Sequence, residues 1–168
     1  MSVPIIHFRK QLAVPPVAVD VPGIYLRQIQ ISNDIAPWLA LRERTMESEM
    51  PRARPWSVAD FHAEMTEKLW WREDRSWIAK TDSADFVGAV TLAIRSGEDG
   101  STPVVHWLLV DPSFRRRGIA TLLMQNLERA AWDDGHREVQ LETHAGWQAA
   151  VAFYQSIGYA ALRERSPR

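Results

Sequence analysis

The stretch from Val110 to Ala120, Val-Asp-Pro-Ser-Phe-Arg-Arg-Arg-Gly-Ile-Ala, has the residue types of an anion-binding bend. The apolar run Val104 to Val110 leads into it, and Leu122, Leu123, Leu127, Ala130 and Ala131 follow at helical spacing. A strand therefore feeds a Pro-marked turn, a basic bend and an amphipathic helix. The first N–H groups of a helix lack intrahelical acceptors, and the positive end of its dipole points the same way, so such a bend attracts anions. Gly118 lets the main chain approach a ligand without a Cβ between, and Ala120 keeps the next turn slim. Arg115, Arg116 and Arg117 add fork-shaped cationic donors. The chemistry this suits is the cradling of a pyrophosphate. Neither the Gly-Lys-Ser/Thr phosphate loop nor the three-glycine dinucleotide fingerprint is present.

Composition narrows the alternatives. A net charge of −1 lacks the basic excess of a nucleic-acid binder, so no nucleic-acid partner is expected and the arginine triplet reads as a local anion site. The chain has no cysteine, which removes disulfides, thiolate metal sites and a cysteine acyl-enzyme, and suits a cytoplasmic protein. Its five histidines are scattered without ligand spacing, so no metal site is expected. No basic start with an apolar core marks a signal peptide, and no run approaches membrane-spanning length.

The elements that must position the cradle follow from pattern. With 168 residues one domain is expected, residues 1–168, with 1–22 as a Pro-containing N-terminal arm. Pro4, Pro15, Pro16 and Pro22 rule out a long helix in that arm, and Val17, Val19 and Val21 alternate as an extended segment. A first strand is expected over Gly23 to Ile31, then a helix capped by Asn33 or Asp34 with Ile35, Leu39, Arg42 and Met46 on one face. Two prolines break it between Glu47 and Pro55. Ser57 caps a second helix with Val58, Phe61, Met65 and Leu69 on its face. Strands are expected at Trp77 to Lys80 and Phe86 to Ile94, a turn over 96–103, and a strand over Val104 to Val110. The helix after the cradle ends at Asp133-Asp134-Gly135. A strand over Glu138 to Thr143, a short helix around Ala149 to Phe153 closed by Gly158, and a strand over Tyr159 to Leu162 complete the chain.

Arg115-x-x-Gly118-x-Ala120, with Val-Asp-Pro before it, resembles the acyl-CoA loop of the GNAT (GCN5-related N-acetyltransferase) superfamily. Leu141-Glu142-Thr143 and the later Ala150-x-x-x-Tyr154-x-x-x-Gly158-Tyr159 extend the likeness, which runs from about Gly23 to Arg163 and is sharp between Val104 and Tyr159. The resemblance implies a mixed α/β GNAT fold: a central, mostly antiparallel, splayed sheet flanked by about four helices. It implies acetyl-CoA as cosubstrate and direct transfer of acetyl to a primary amine, on a small molecule or a peptide, in a ternary complex. No membrane partner is implied, and family members often pair as homodimers. The alternative is a non-catalytic acyl-CoA-binding sensor or partner-binding module of the same fold.

The resemblance also assigns roles. Arg115 to Ala120, including Ile119, would bind the pyrophosphate, and Leu108 and Val110 would pair with the pantetheine amides. Tyr154 takes the place of the tyrosine that protonates the leaving thiolate, a reasonable task for a phenol with a pKa of about 10. Many family members carry Asn where this chain has Trp147. The indole is only a donor, so Trp147 would wall the pantetheine tunnel, or His144 or Gln148 would take over the polar contact. A protonated amine needs a base or a water relay. His106, on the strand before the cradle, and Glu142, at the exit of the next strand, are the candidates. Glu47 and Glu49, in the loop that usually lines the acceptor pocket, could recognise the substrate.

Overall fold

The computed structural model describes residues 4–162. Its strands are β1 (Ile5–Gln11), β2 (Tyr25–Gln28), β3 (Ser76–Lys80), β4 (Phe86–Gly97), β5 (Gly100–Val110), β6 (Glu138–His144) and β7 (Ala160–Ala161). Its helices are α1 (Ile31–Glu49), α2 (Val58–Phe61), α3 (Ile119–Asp133) and α4 (Gln148–Ser156). The strands form one sheet in the order β2-β3-β4-β5-β6-β1-β7, antiparallel throughout except for the parallel β5–β6 pair. This is the mostly antiparallel α/β architecture expected from the sequence. Among the described residues, no helix is long and apolar enough to cross a membrane.

Each face of the sheet carries its own core. Leu123, Met124 and Leu127 of α3 pack with Val90, Leu92, Val105, Phe8 and Leu141 on one face. Trp38 and Leu41 of α1, with Phe61 and Met65, cover Ile78, Ala89 and Leu109 on the other. Because β4 is covered on both faces, it reads as a continuous apolar run rather than an alternation. Gly88 on that strand is a packing residue: a Cβ there would meet Leu123 Cδ1 at 2.8 Å and Ile119 Cγ2 at 3.0 Å. Its absence lets the first turns of α3 lie close against β4, which fixes where the cradle sits.

Several elements differ from the sequence reading. The helix α1 starts at Ile31, with Gln30 rather than Asn33 or Asp34 as its cap residue. Asp34 serves instead as an anchor, accepting from the Gln30 main-chain N–H at 2.7 Å and from both terminal nitrogens of Arg27 on β2 at 2.6 and 2.9 Å. Ser57 does cap α2, in a reciprocal pair with Asp60, but the α-helix lasts one turn and passes into a π-helical turn over His62–Thr66. That widened turn rotates the next residues out of helical phase, so Phe61 and Met65 are buried while Leu69 is fully exposed. The β4–β5 hairpin is tighter than expected, with Glu98 and Asp99 alone at the turn.

The N-terminal residues add a strand that alternation in Val17 to Val21 does not reveal. Ile5 to Gln11 pair antiparallel with β6 over seven residues and, on the other edge, with Ala160 and Ala161 of β7. Phe8 is the residue of this strand that is fully buried. Residues 1–3 and 163–168, including the end of the sequence-level likeness at Arg163, lie outside the described residues.

Candidate active site

The bend between β5 and α3 is built by local interactions that the sequence order dictates. Asp111 accepts from the Ser113 N–H at 2.9 Å and from Arg44 Nε of α1 at 2.8 Å, which closes a 3-10 turn over Pro112–Phe114 and ties it to α1. Arg116 and Gly118 then take left-handed conformations, with φ of 63° and 83°. For Gly118 this conformation is the reason for glycine, since a Cβ there would touch nothing closer than Val21 Cγ2 at 3.6 Å. The main-chain N–H groups from Arg115 to Thr121 find no protein acceptor among the described residues. That row of free donors stands at the N-terminus of a fifteen-residue helix, where the sequence leads one to expect an anion cradle.

The three arginines have separate situations. Arg115 reaches back to the end of α1, 3.2 Å from Ser48 Oγ and 3.0 Å from Glu49 Oε1. Arg116 lines the cavity beside the cradle. Arg117 lies over the Phe114 ring at 4.9 Å and does not line that cavity.

β5 is distorted where it faces β6. Its register against β4 jumps between the pairs Ala89↔Leu109 and Thr91↔His106, leaving Trp107 in a bulge with a φ of 51°. A left-handed tryptophan is strained. It is braced by the Arg42 guanidinium, which stacks 5.0 Å from the Trp107 ring and 4.1 Å from Trp56, and by edge contacts with Trp38 and Trp56. On its other side β5 meets β6 at a single parallel pair, Val104↔Gln140. Beyond that pair the strands part, and a cavity of about 650 Å³ opens between them, running from the cradle past Leu108 and Val110 to Val104. An opened edge inside a sheet offers main-chain donors and acceptors to an amide-bearing ligand.

His106, Leu108, Val110, Arg115, Arg116, Gly118, Ile119, Ala120, Glu142, Trp147 and Tyr154 all line this one cavity, although they come from four separate elements and the cradle bend. Tyr154 is buried between Phe8, Phe153 and Tyr159, and burial pushes its phenol pKa well above 10, so at neutral pH it carries its proton. His106 packs edge-on to Trp70, with ring centres 4.7 Å apart. Burial, and then the positive charges of Arg95 and Lys68, lower its pKa to about 4. The imidazole is therefore neutral at pH 7, able to accept a hydrogen bond but a weak base. Glu142 is exposed, with Oε1 3.5 Å from His7 Nδ1. Trp147 caps the start of α4 and packs edge-on to His144 at 4.4 Å.

Sequence reasoning missed part of the wall. Ile5 of β1, Thr45 and Met46 of α1, and Arg95 of β4 also line the cavity; Glu47 and Glu49 lie in the last turn of α1 rather than in a loop, and of the two Glu49 lines the cavity and Glu47 does not. Ile5 is brought there by long-range pairing of β1 with β6, and Arg95 by the β4–β5 hairpin, whose register sets it against Thr102. Among the described residues, no group of three or more His, Asp or Glu could hold a metal ion.

Comparison with known proteins agrees with this geometry. The model of the acetyltransferase (GNAT) family matches residues 39–159. The chain is 33% identical over 85 residues to human N-acetyltransferase 8, covering 49% of this chain and 37% of that protein. It is 30% identical over 76 residues to acetyltransferase SG1711 of Sodalis glossinidius, covering 45% of this chain and 54% of that one. The aligned region thus spans about 37% to 54% of these relatives' lengths. Among solved structures, a GCN5-related N-acetyltransferase from Sphaerobacter thermophilus superposes with a TM-score of 0.77 at 22% identity, over 94% of this chain and 48% of that chain. The aminoglycoside N-acetyltransferase AAC(6')-Iy, solved in complex with CoA, gives 0.64 at 22% identity over 86% of this chain and 93% of its own. With the family model spanning the cradle, the splayed strands and α4, the chain belongs to the acetyltransferase (GNAT) family.

Proposed function

We propose that the chain is an N-acetyltransferase that moves acetyl from acetyl-CoA to a primary amine by direct transfer in a ternary complex. The observation that carries this reading is the continuous cavity with free main-chain donors at one end and His106 and Glu142 toward the other. Acetyl-CoA fits the residues present: the unpaired N–H groups of Arg115 to Thr121 suit a pyrophosphate, and the unpaired edges of β5 and β6 suit the pantetheine amides. The cosubstrate would supply an acetyl group activated as a thioester.

The chain's own contribution is binding, orientation and proton handling. Arg116 and the cradle amides would fix the pyrophosphate, and the main chain at Leu108 and Val110 would align the arm. Tyr154 would hold its proton toward the sulfur and give it up as negative charge develops there. An amine near pKa 10.4 costs about 4–5 kcal/mol to deprotonate at neutral pH. His106 or Glu142 would receive that proton, directly or through water. Holding both reactants in one cavity would lower the barrier by several kcal/mol more.

Calorimetry with acetyl-CoA tests the assignment of the cradle. The wild-type chain is expected to bind it, and Gly118→Trp to lose binding while keeping the wild-type near-ultraviolet circular dichroism. Undiminished affinity in a folded Gly118→Trp variant would refute the assignment.

A further inference from the structure

The end of the cavity away from the cradle has a charge pattern of its own. Val104 and Val110 are six residues apart on β5, which places the far end about 20 Å from the cradle. Two carboxylates line the cavity, and they are placed differently. Glu49 is already engaged by Arg115 at 3.0 Å. Glu142 is at the far end, exposed, with His7 as its neighbour. Arg95 of β4 lines the same end and has no carboxylate within 4.0 Å among the described residues.

Arg95 and Glu142 also line a smaller recess of about 240 Å³, which shares Val104 and Leu141 with the main cavity. Strand register explains the convergence. Arg95 pairs with Thr102, two residues before Val104, and Val104 pairs with Gln140, two residues before Glu142. Steps of two keep a strand's side chains on one face, so Arg95 and Glu142 project from the same side of the sheet. A guanidinium and a carboxylate thus face one recess without bonding to each other. His106, on the same strand as Val104, packs edge-on to Trp70 and Trp107 and feels the positive charges of both Arg95 and Lys68.

We propose that the acceptor is an amine that also carries a carboxylate, a zwitterionic amino acid, with Arg95 pairing its carboxylate and Glu142 facing its amine. The inference rests on the N-acetyltransferase reading above and names the substrate class for that site. A planar guanidinium matches a carboxylate with two parallel hydrogen bonds, which gives orientation as well as attraction. A polycationic acceptor would set several positive charges against Arg95 and Lys68 with Glu142 alone to offset them. The recess is also below the roughly 300 Å³ at which pockets for drug-sized ligands begin, which suits a small acceptor.

The test follows acetyl-CoA-dependent thiol release with L-amino acids, their carboxamides and kanamycin, alongside calorimetry of acetyl-CoA. The acids are expected to exceed their carboxamides by about 10- to 100-fold in kcat/KM, the range for hydrogen bonds to a charged group. In Arg95→Gln that ratio should collapse toward one with the acetyl-CoA Kd unchanged, and Arg95→Lys should restore part of it. Carboxamides or kanamycin equal to the acids, an unchanged ratio in Arg95→Gln, or no turnover of any amino acid by a chain that binds acetyl-CoA would each overturn the inference. Failure of the wild-type chain to bind acetyl-CoA would instead overturn the N-acetyltransferase reading, and this inference with it.

Discussion

At the scale of single residues, Tyr154 and His106 carry opposite expectations. The Tyr154 ring is wedged among Phe8, Phe153 and Tyr159, so replacing it with phenylalanine keeps the packing and removes only the hydroxyl. Tyr154→Phe is expected to lower kcat by about 100-fold or more, the contribution of a positioned acid, with little change in the KM for acetyl-CoA. An unchanged kcat would remove Tyr154 from the reaction. His106 has a signature in stability. Its pKa of about 4 in the fold, set by burial and then by Arg95 and Lys68, lies below the 6.5 of an unfolded histidine. Between those values the unfolded chain binds more protons, so stability is full above pH 6.5 and falls as pH drops toward 4. The loss should approach roughly 3 kcal/mol at pH 4, measured as urea midpoints across that range. His106→Asn should flatten the part of the profile due to this residue, and an identical profile in the variant would contradict the assignment. The identity of both residues was legible in the sequence. The neutral state of His106 was not, because burial and the two cations come from β4 and the turn after Thr66.

At the scale of elements, what matters is how the strands hold α3, since α3 carries the cradle. Gly88 is the contact point between β4 and α3. Gly88→Ala forces a methyl into 2.8 Å of Leu123, and overpacking of this kind costs about 1–3 kcal/mol. The variant should therefore melt earlier and, because Ile119 is displaced with Leu123, bind acetyl-CoA more weakly. Wild-type melting and affinity would show that α3 does not rest on that contact. β1 holds α3 from the other edge. Glu128 of α3 is 2% exposed and accepts from Lys10 of β1 at 3.0 and 3.1 Å and from the Tyr159 hydroxyl at 3.1 Å. Lys10→Met would leave that carboxylate buried without its cation, at a cost of about 3–5 kcal/mol. Adding Glu128→Leu should recover most of the loss. Denaturant unfolding of the two variants decides it, and an unaffected Lys10→Met would mean that the pair does not hold β1 to the domain.

At the scale of the whole molecule, what was legible in the sequence is what is local. The bend proposed as the cradle is one contiguous strand, turn and helix, so its shape could be read from Arg115, Gly118 and Ala120 without help from the rest of the chain. Tyr154 and Glu142 were readable for a similar reason, each standing at a fixed offset within a short motif. Long-range pairing was not readable. β1 offers a strand with Phe8 as its buried anchor, and its place between β6 and β7 depends on partners at the opposite end of the chain. Ile5 reaches the cavity through such pairing and Thr45 through packing of α1 on the sheet, while Arg95 arrives through the register of the β4–β5 hairpin. The bulge at Trp107 also escaped notice, since nothing in an apolar strand signals which residue will turn left-handed. The central claim, that this cavity joins a cosubstrate to an amine, is tested most directly by thiol release from acetyl-CoA with and without amines. The absence of cysteine leaves the protein without a thiol background in that assay. The account predicts negligible release with protein and acetyl-CoA alone and rapid release on adding an amine acceptor. Tight binding of acetyl-CoA with no amine of any class raising the rate would contradict it.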